Sequence, residues 1–147
     1  MPLGIRPAPI EDVCRLRHEV LRPLQRPEEL VFEHDLDDDA LHLGAFEDGT
    51  LVAIASITRE PPPGQDDPRA WRVRGIATLP AYRVRGIGGE LLERCVSHAR
   101  EHDGRFVWLN GRTPATRFYE RHEFVGRGEE FTLPDIGPHR EFRRPLG

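Results

Sequence analysis

The sequence predicts an α/β sandwich around one curved, mixed sheet of six to seven strands, flanked by about four helices. Three observations point there. Residues 41–46 and 51–57 are apolar runs on either side of Glu47-Asp48-Gly49-Thr50, and Asp-Gly between such runs is a strong signal for an antiparallel hairpin. Residues 87–102 carry a clear helical period and stand between two strand-like segments, 71–79 and 105–110. At 147 residues the chain has the size of one ordinary domain, here 1–147, large enough to bury a core without disulfides or metals.

Taken in order, residues 4–6 suit an edge strand cut short by Pro7 and Pro9, and residues 10–21 place Ile10, Val13, Cys14, Leu16, Val20 and Leu21 at helical spacing. Pro23 and Pro27 bracket a break, and 28–33 suits a second short helix. Residues 35–39, with four aspartates, are too acidic to pack and are expected to form a loop. After the hairpin, the proline-rich stretch 61–68 cannot continue a strand and reads as an exposed loop rather than a linker. The helix at 87–102 puts Leu91, Leu92, Cys95, Val96 and Ala99 on one stripe, opposite Glu90, Glu93, Arg94 and Arg100, and ends at Asp103-Gly104. Residues 105–110 then form a short buried strand, Pro114 opens the next helix in its first turn, and 124–131 with 139–144 supply two final strands. No internal repeat is present.

Composition excludes several classes of function. The net charge is −4, so the overall field gives no reason to expect nucleic acid. No stretch approaches the ~20 apolar residues of a membrane span, and residues 1–10 have no apolar signal region, which suggests a soluble cytoplasmic protein. Cys14 and Cys95 fall on apolar helix faces, where a free thiol acts as a small hydrophobe. His34 lies among Asp35, Asp37, Asp38 and Asp39, but adjacent carboxylates without ligand spacing form a hydrated loop, so no metal is expected.

The most informative stretch is Arg83-Val84-Arg85-Gly86-Ile87-Gly88, between strand 71–79 and helix 87–102. A strand, a tight turn and a helix start leave several backbone N–H groups without intrahelical partners, with the positive end of the helix dipole behind them. That makes an anion cradle suited to phosphate. Gly86 and Gly88 remove side chains that would hold a ligand off the backbone, and Arg83 and Arg85 add positive charge at the rim. A P-loop NTPase needs a lysine after its last glycine, and all 21 basic residues here are arginine. A dinucleotide fold wants a third glycine where Leu91 stands and an acidic residue at the end of the following strand, which instead finishes in Asn110.

The remaining pattern, Arg-x-x-Gly-x-Gly after Leu79-Pro80 and before Leu91-Leu92, resembles the coenzyme A pyrophosphate loop of the GNAT superfamily of N-acetyltransferases. Ala115-Thr116-Arg117-Phe118-Tyr119-Glu120-Arg121, with Phe124 just beyond, is similar to that family's second signature, Ala-x-x-(Leu/Phe)-Tyr on a short helix before a strand. One helix of about four turns and one strand separate the two, as the family's core requires. The likeness is closest over residues 71–131, and Ile136-Gly137-Pro138-His139 with the first helix resembles the ElaA-like branch.

This resemblance implies direct transfer of an acetyl group from acetyl-CoA to a primary amine of a small molecule or peptide. It implies that Ile76, Ala77 and Thr78 align the pantetheine arm and polarise the thioester carbonyl. The amides of Val84, Arg85, Gly86, Ile87, Gly88 and Gly89 would hold the pyrophosphate, helped by Arg83. Asn110, Ala115, Phe118 and Tyr119 complete the cofactor site. Tyr119 matches the tyrosine that gives a proton to the departing sulfur, since a phenol of pKa about 10 lies near a thiol of about 8.5; packed beside Phe118 it also suits a core position. Glu33, His34, Glu130 and His139 are the candidates for general base, and His139, where a turn meets the last strand, is the one to put forward.

Three positions depart from the family pattern. Val84 replaces a glycine or polar residue inside the loop, Glu123 stands where glycine usually ends the tyrosine helix, and Arg112 takes the place of an asparagine, leaving Asn110 as its substitute. The acidic stretch 28–39 falls where the family builds one wall of the acceptor site, and it could either attract a cationic amine or be a solvated loop. A second class of function, binding acyl-CoA as a sensor without turnover, also fits these residues. A homodimer is admitted.

Overall fold

The computed structural model describes residues 3–134 and 136–147. Seven strands form one open sheet in the order β1-β2-β3-β4-β5-β7-β6, where β1 is Leu3–Pro7, β2 Leu41–Glu47, β3 Thr50–Arg59, β4 Ala70–Thr78, β5 Phe106–Arg112, β6 Val125–Leu133 and β7 Gly137–Pro145. All neighbours are antiparallel except β4 and β5, which run parallel because a helical crossover joins them.

Among the described residues three α-helices cover the sheet: α1 Ile10–Leu16, α2 Ile87–Glu101 and α3 Thr116–Arg121. The expected count of about four is therefore one too high, because the segment expected to form a helix at 28–33 makes only a 3₁₀ turn, Pro27–Leu30. The helix expected at 10–21 is one segment, but its second half, Arg17–Leu21, is π-helical. That widened turn places Arg17 wholly in the interior.

The apolar stripe of α2 buries Leu91, Leu92, Cys95, Val96 and Ala99 against Ala55, Ile57, Val73, Val107 and Leu109 on one face of the sheet. Val13 and Leu16 of α1 pack on Ile54 and Ala77 from the other face. With both faces covered, β3 is buried almost throughout, which is why its sequence reads as a continuous apolar run. Both thiols are buried; burial pushes Cys95 up to about 12 and raises Cys14, leaving both unreactive.

Two helix ends use left-handed residues other than glycine. Helix α2 is closed by Asp103 at φ 60, followed by Gly104, whose N–H bonds the carbonyl of Ala99 at 2.7 Å. A Cβ on Gly104 would lie 2.7 Å from that oxygen and 2.8 Å from Trp71, so here glycine is required for close approach rather than for φ. Glu123, standing where the family usually has glycine, ends α3 at φ 65 in a left-handed conformation. Its carboxylate reaches Arg144 at 3.3 Å, an attachment that glycine would lack.

The acidic stretch 35–39 is loop as expected, but the expectation that it cannot pack fails at Asp35, which is buried. Arg17 explains it. Its Nη1 donates to Asp35 Oδ2 at 2.6 Å and to the Leu30 carbonyl at 2.6 Å, while Nη2 donates to Ser56 at 3.1 Å. Burial of either charge alone would be prohibitive, and the pair permits both.

Candidate active site

Strands β4 and β5 pair at only three positions, Ala70↔Phe106, Trp71↔Val107 and Arg72↔Trp108, and then part. The cause lies on the other side of β4. Between Ile54↔Ala77 and Ser56↔Arg74, two residues of β3 span three of β4, a bulge carried by Gly75 at φ 64. Bulges bend a strand, and β4 turns away from β5 from this point onward. The edge of Ile76, Ala77 and Thr78 that faces β5 is thereby left without a partner strand among the described residues, while β3 still holds the opposite edge.

A cleft of about 960 Å³ fills the opening, with Ile76, Ala77 and Thr78 along one wall and Asn110, Phe118 and Tyr119 along the other. Its end is the start of α2. Gly86 caps that helix at φ 77, and the first closing bond is from Glu90 N to the Gly86 carbonyl, so the amides of Ile87, Gly88 and Gly89 have no carbonyl one turn behind them. Val84 adopts φ 59 with its side chain fully in solvent, which explains why a valine is tolerated inside this loop. A Cβ on Gly88 would have ordinary contact distances of 3.7 Å or more, so this glycine keeps the cleft open rather than relieving a clash. Gly89 differs: a Cβ there would sit 2.6 Å from His122, so it allows α2 and α3 to approach.

The structure brings most of the sequence-derived residues together. Ile76, Ala77, Thr78, Arg83, Val84, Gly86, Ile87, Gly88, Gly89, Asn110, Ala115, Phe118, Tyr119 and His139 all line the cleft. Arg85 does not; it lies 3.7 Å from Glu47 and over the Tyr82 ring. Of the four base candidates only His139 reaches the cleft. Glu33 is exposed beside His34, His34 is held by Asp37 at 2.9 Å, and Glu130 is exposed on β6. The 28–39 acids do not line the cleft either: Asp35 is spent on Arg17 and Asp39 on Arg59 at 2.8 Å.

Tyr119 stacks on Phe142 with ring centroids 4.8 Å apart, and Gly111 beneath it makes this possible, since a Cβ there would fall 2.4 Å from the tyrosine ring. Burial raises the phenol above its usual pKa, with Arg112 pulling slightly the other way, so the hydroxyl stays protonated at neutral pH. His139 is buried on β7, and its Nδ1 donates to the Gly137 carbonyl at 2.9 Å. That bond leaves Nε2 as the proton acceptor of the neutral ring. Helix α3, which carries Tyr119, is fastened by Arg144: its Nη1 donates to Glu93 of α2 at 3.1 Å and to the His122 carbonyl at 3.1 Å, and His122 Nδ1 bonds Glu93 at 2.7 Å.

The cleft also takes in residues the sequence did not single out, among them Arg22, Arg74 and His122, with Glu93 from the polar face of α2. In the sequence Arg22 precedes Pro23, and Arg74 alternates with Arg72 along a strand-like segment. Neither position carries a local motif.

These features are those of a family. The sequence matches the acetyltransferase (GNAT) family over residues 10–124, and the chain belongs to it. Membership makes it an acyl-CoA-dependent N-acyltransferase with acetyl-CoA as cosubstrate. Among curated relatives, the uncharacterized N-acetyltransferase YitI of Bacillus subtilis is 34% identical over 137 residues, covering 93% of this chain and 92% of that one. The N-alpha-acetyltransferase RimI of Mycobacterium tuberculosis is 33% identical over 106 residues, covering 72% of this chain and 60% of RimI. The fold is shared with Escherichia coli ElaA, with a TM-score of 0.79, 19% identity and coverage of 97% and 99%. It is shared equally with yncA of Salmonella typhimurium, solved with acetyl-CoA, at a TM-score of 0.79, 15% identity and coverage of 100% and 95%.

Proposed function

We propose that residues 1–147 form one cytoplasmic acetyltransferase domain that moves the acetyl group of acetyl-CoA directly to a primary amine bound in the gap between β4 and β5. The observation that carries this reading is the early end of β4–β5 pairing, beside a helix start with free amides. The unpaired edge of Ile76, Ala77 and Thr78 offers the pantetheine amides the hydrogen bonds a neighbouring strand would have made. The amides of Val84, Gly86, Ile87, Gly88 and Gly89, with Arg83 at the rim, hold the pyrophosphate at the positive end of α2. Asn110, Ala115 and Phe118 line the far wall against the arm. Arg85 assists from outside, through the field of its charge.

In the reaction, the neutral amine nitrogen attacks the thioester carbonyl carbon, and the carbonyl oxygen gathers negative charge facing the backbone N–H groups of β4. The carbon–sulfur bond then breaks. The proton lost by the nitrogen passes to His139 Nε2, and the departing sulfur takes a proton from the Tyr119 hydroxyl. No covalent enzyme intermediate is formed. Titration calorimetry with acetyl-CoA tests the cofactor assignment: Gly86→Glu, which adds bulk and negative charge to the anion cradle, should abolish binding, and unchanged affinity would refute it. Release of free thiol across an amine panel separates this enzyme from an acyl-CoA sensor, which would bind without turnover.

A further inference from the structure

The acceptor side of the cleft is defined by one face of the sheet. Arg72 stacks on Trp108, its guanidinium carbon 4.6 Å from the ring, so these two side chains share a face of the paired strands. Side chains alternate along a strand, so Arg74 on β4, and Asn110 and Arg112 on β5, project from that same face. His139 is the cross-strand partner of Arg112 and joins them. Val73 and Leu109, one residue offset, point the opposite way, into the core beneath α2. Arg22 reaches the same opening from the end of the π-helical turn, and the three arginines and His139 all line the cleft.

Three guanidinium groups line this opening, those of Arg22, Arg74 and Arg112. Arg74 is half-buried and stacks on Phe32 at 4.2 Å, and burial first, then repulsion from Arg72, lowers it to about 10. Arg22 is lowered by burial and by Arg112, so those two charges feel one another. Among the described residues, none of the three has a carboxylate within ion-pair distance, although the chain holds more acidic than basic side chains. The nearby acids are engaged: Asp35 by Arg17, Glu60 by Arg72 and Glu141 by Arg143. The cleft's only acidic lining among the described residues, Glu90 and Glu93, belongs to α2, and both are paired with arginines.

We propose that the acceptor is a small amine bearing its own anionic group, a carboxylate, phosphate or phosphonate within a few bonds of the nitrogen, held by Arg22, Arg74 and Arg112. Guanidinium forks match paired oxygens of such groups, and an anion between them offsets the repulsion of Arg22 and Arg112. The same positive field favours the uncharged form of the amine, which is the nucleophile. A cationic polyamine or a basic peptide gains neither effect and is repelled. This inference rests on the transferase reading and deepens it by naming the substrate class.

Matched pairs test it. Thiol release from acetyl-CoA is measured with β-alanine against propylamine, O-phosphoethanolamine against ethanolamine, and 2-aminoethylphosphonate against ethylamine. The anionic member should be better in kcat/KM by about tenfold or more, the size of one charge-assisted contact, and the rank of carboxylate against phosphorus acids identifies the source of the anion. Arg112→Gln and Arg74→Gln should shrink the ratio toward one by raising the acceptor KM while leaving the acetyl-CoA KM unchanged. A neutral amine equal to its anionic partner, or a rise in the acetyl-CoA KM alone, overturns the proposal. A binding arm needs no turnover: with coenzyme A present and ionic strength fixed, succinate should raise the melting temperature of the wild type but not of Arg74→Gln. If no amine reacts, the transferase reading loses, and this arm alone decides the anion site; no rise in the wild type refutes it.

Discussion

Replacing Asp35 by asparagine removes one charge from the interior and leaves the shape nearly intact. In the folded protein Arg17 and Asp35 side chains are 0% and 1% exposed, bonded at 2.6 Å, and Asp35 also accepts from the Phe32 N–H at 2.6 Å. An uncompensated buried guanidinium is the result, and breaking such a pair by removing one partner costs about 3–5 kcal/mol. With about 2.1 cal/mol/K of unfolding entropy per residue, a domain of this length changes by about 0.3 kcal/mol per degree, so the melting temperature should drop by about 10–16 °C. Scanning calorimetry measures it. Added salt should not restore the loss, because neither group meets solvent. The double variant Arg17→Met with Asp35→Leu should recover most of it, since apolar residues of similar volume carry no desolvation penalty. A drop of under about 3 °C for Asp35→Asn would refute the assignment of this pair as the pin of segment 30–35 to the sheet. That pin sits behind the active-site bulge: a Cβ on Gly75 would lie 3.2 Å from Arg17 Nε, so the variant should weaken acceptor turnover as well as the fold.

Tyr119→Phe should lower single-turnover thiol release by about 10²-fold or less with an unchanged melting temperature, because coenzyme A thiolate is already a fair leaving group; a variant as fast as wild type would remove the hydroxyl from the mechanism. Gly111→Ala should cost about 1–3 kcal/mol, by chemical denaturation, and slow the chemical step more than Tyr119→Phe does, since the ring itself must move; wild-type rates would show that ring position is unimportant. For Glu93, burial pushes the pKa up, but hydrogen bonds from His122 and Arg144 together outweigh it and hold the carboxyl below its ordinary value. A pKa depressed on folding contributes stability above the unfolded value of about 4.3 that is lost as pH falls through the folded one. The melting-temperature gap between wild type and Glu93→Gln should therefore be full at pH 7 and close as the pH falls below the ordinary carboxylate range, and a pH-independent gap would contradict it.

The hairpin, the α2 stripe and the glycine-rich turn into α2 could be read directly from the sequence because each is local: a turn residue pair, a helical period, or six consecutive residues at a helix start. Tyr119 was found by motif, while its height in the cleft depends on Gly111, a residue silent in sequence because its role is an absence of atoms eight positions away. Among four candidate bases the sequence put His139 forward for its place where a turn meets the last strand, and packing sets it in the cleft while Glu33, His34 and Glu130 lie outside. Chain order made the acidic stretch 28–39 a plausible attractor for a cationic amine, yet none of its acids lines the cleft, folding spends Asp35 on Arg17 and Asp39 on Arg59, and arginines face the cleft instead. Net sequence charge records how many charges a segment holds. Which of them remain unpaired is decided by contacts between distant segments, such as the 18-residue step from Arg17 to Asp35, and the charge of the cleft wall depends on those contacts.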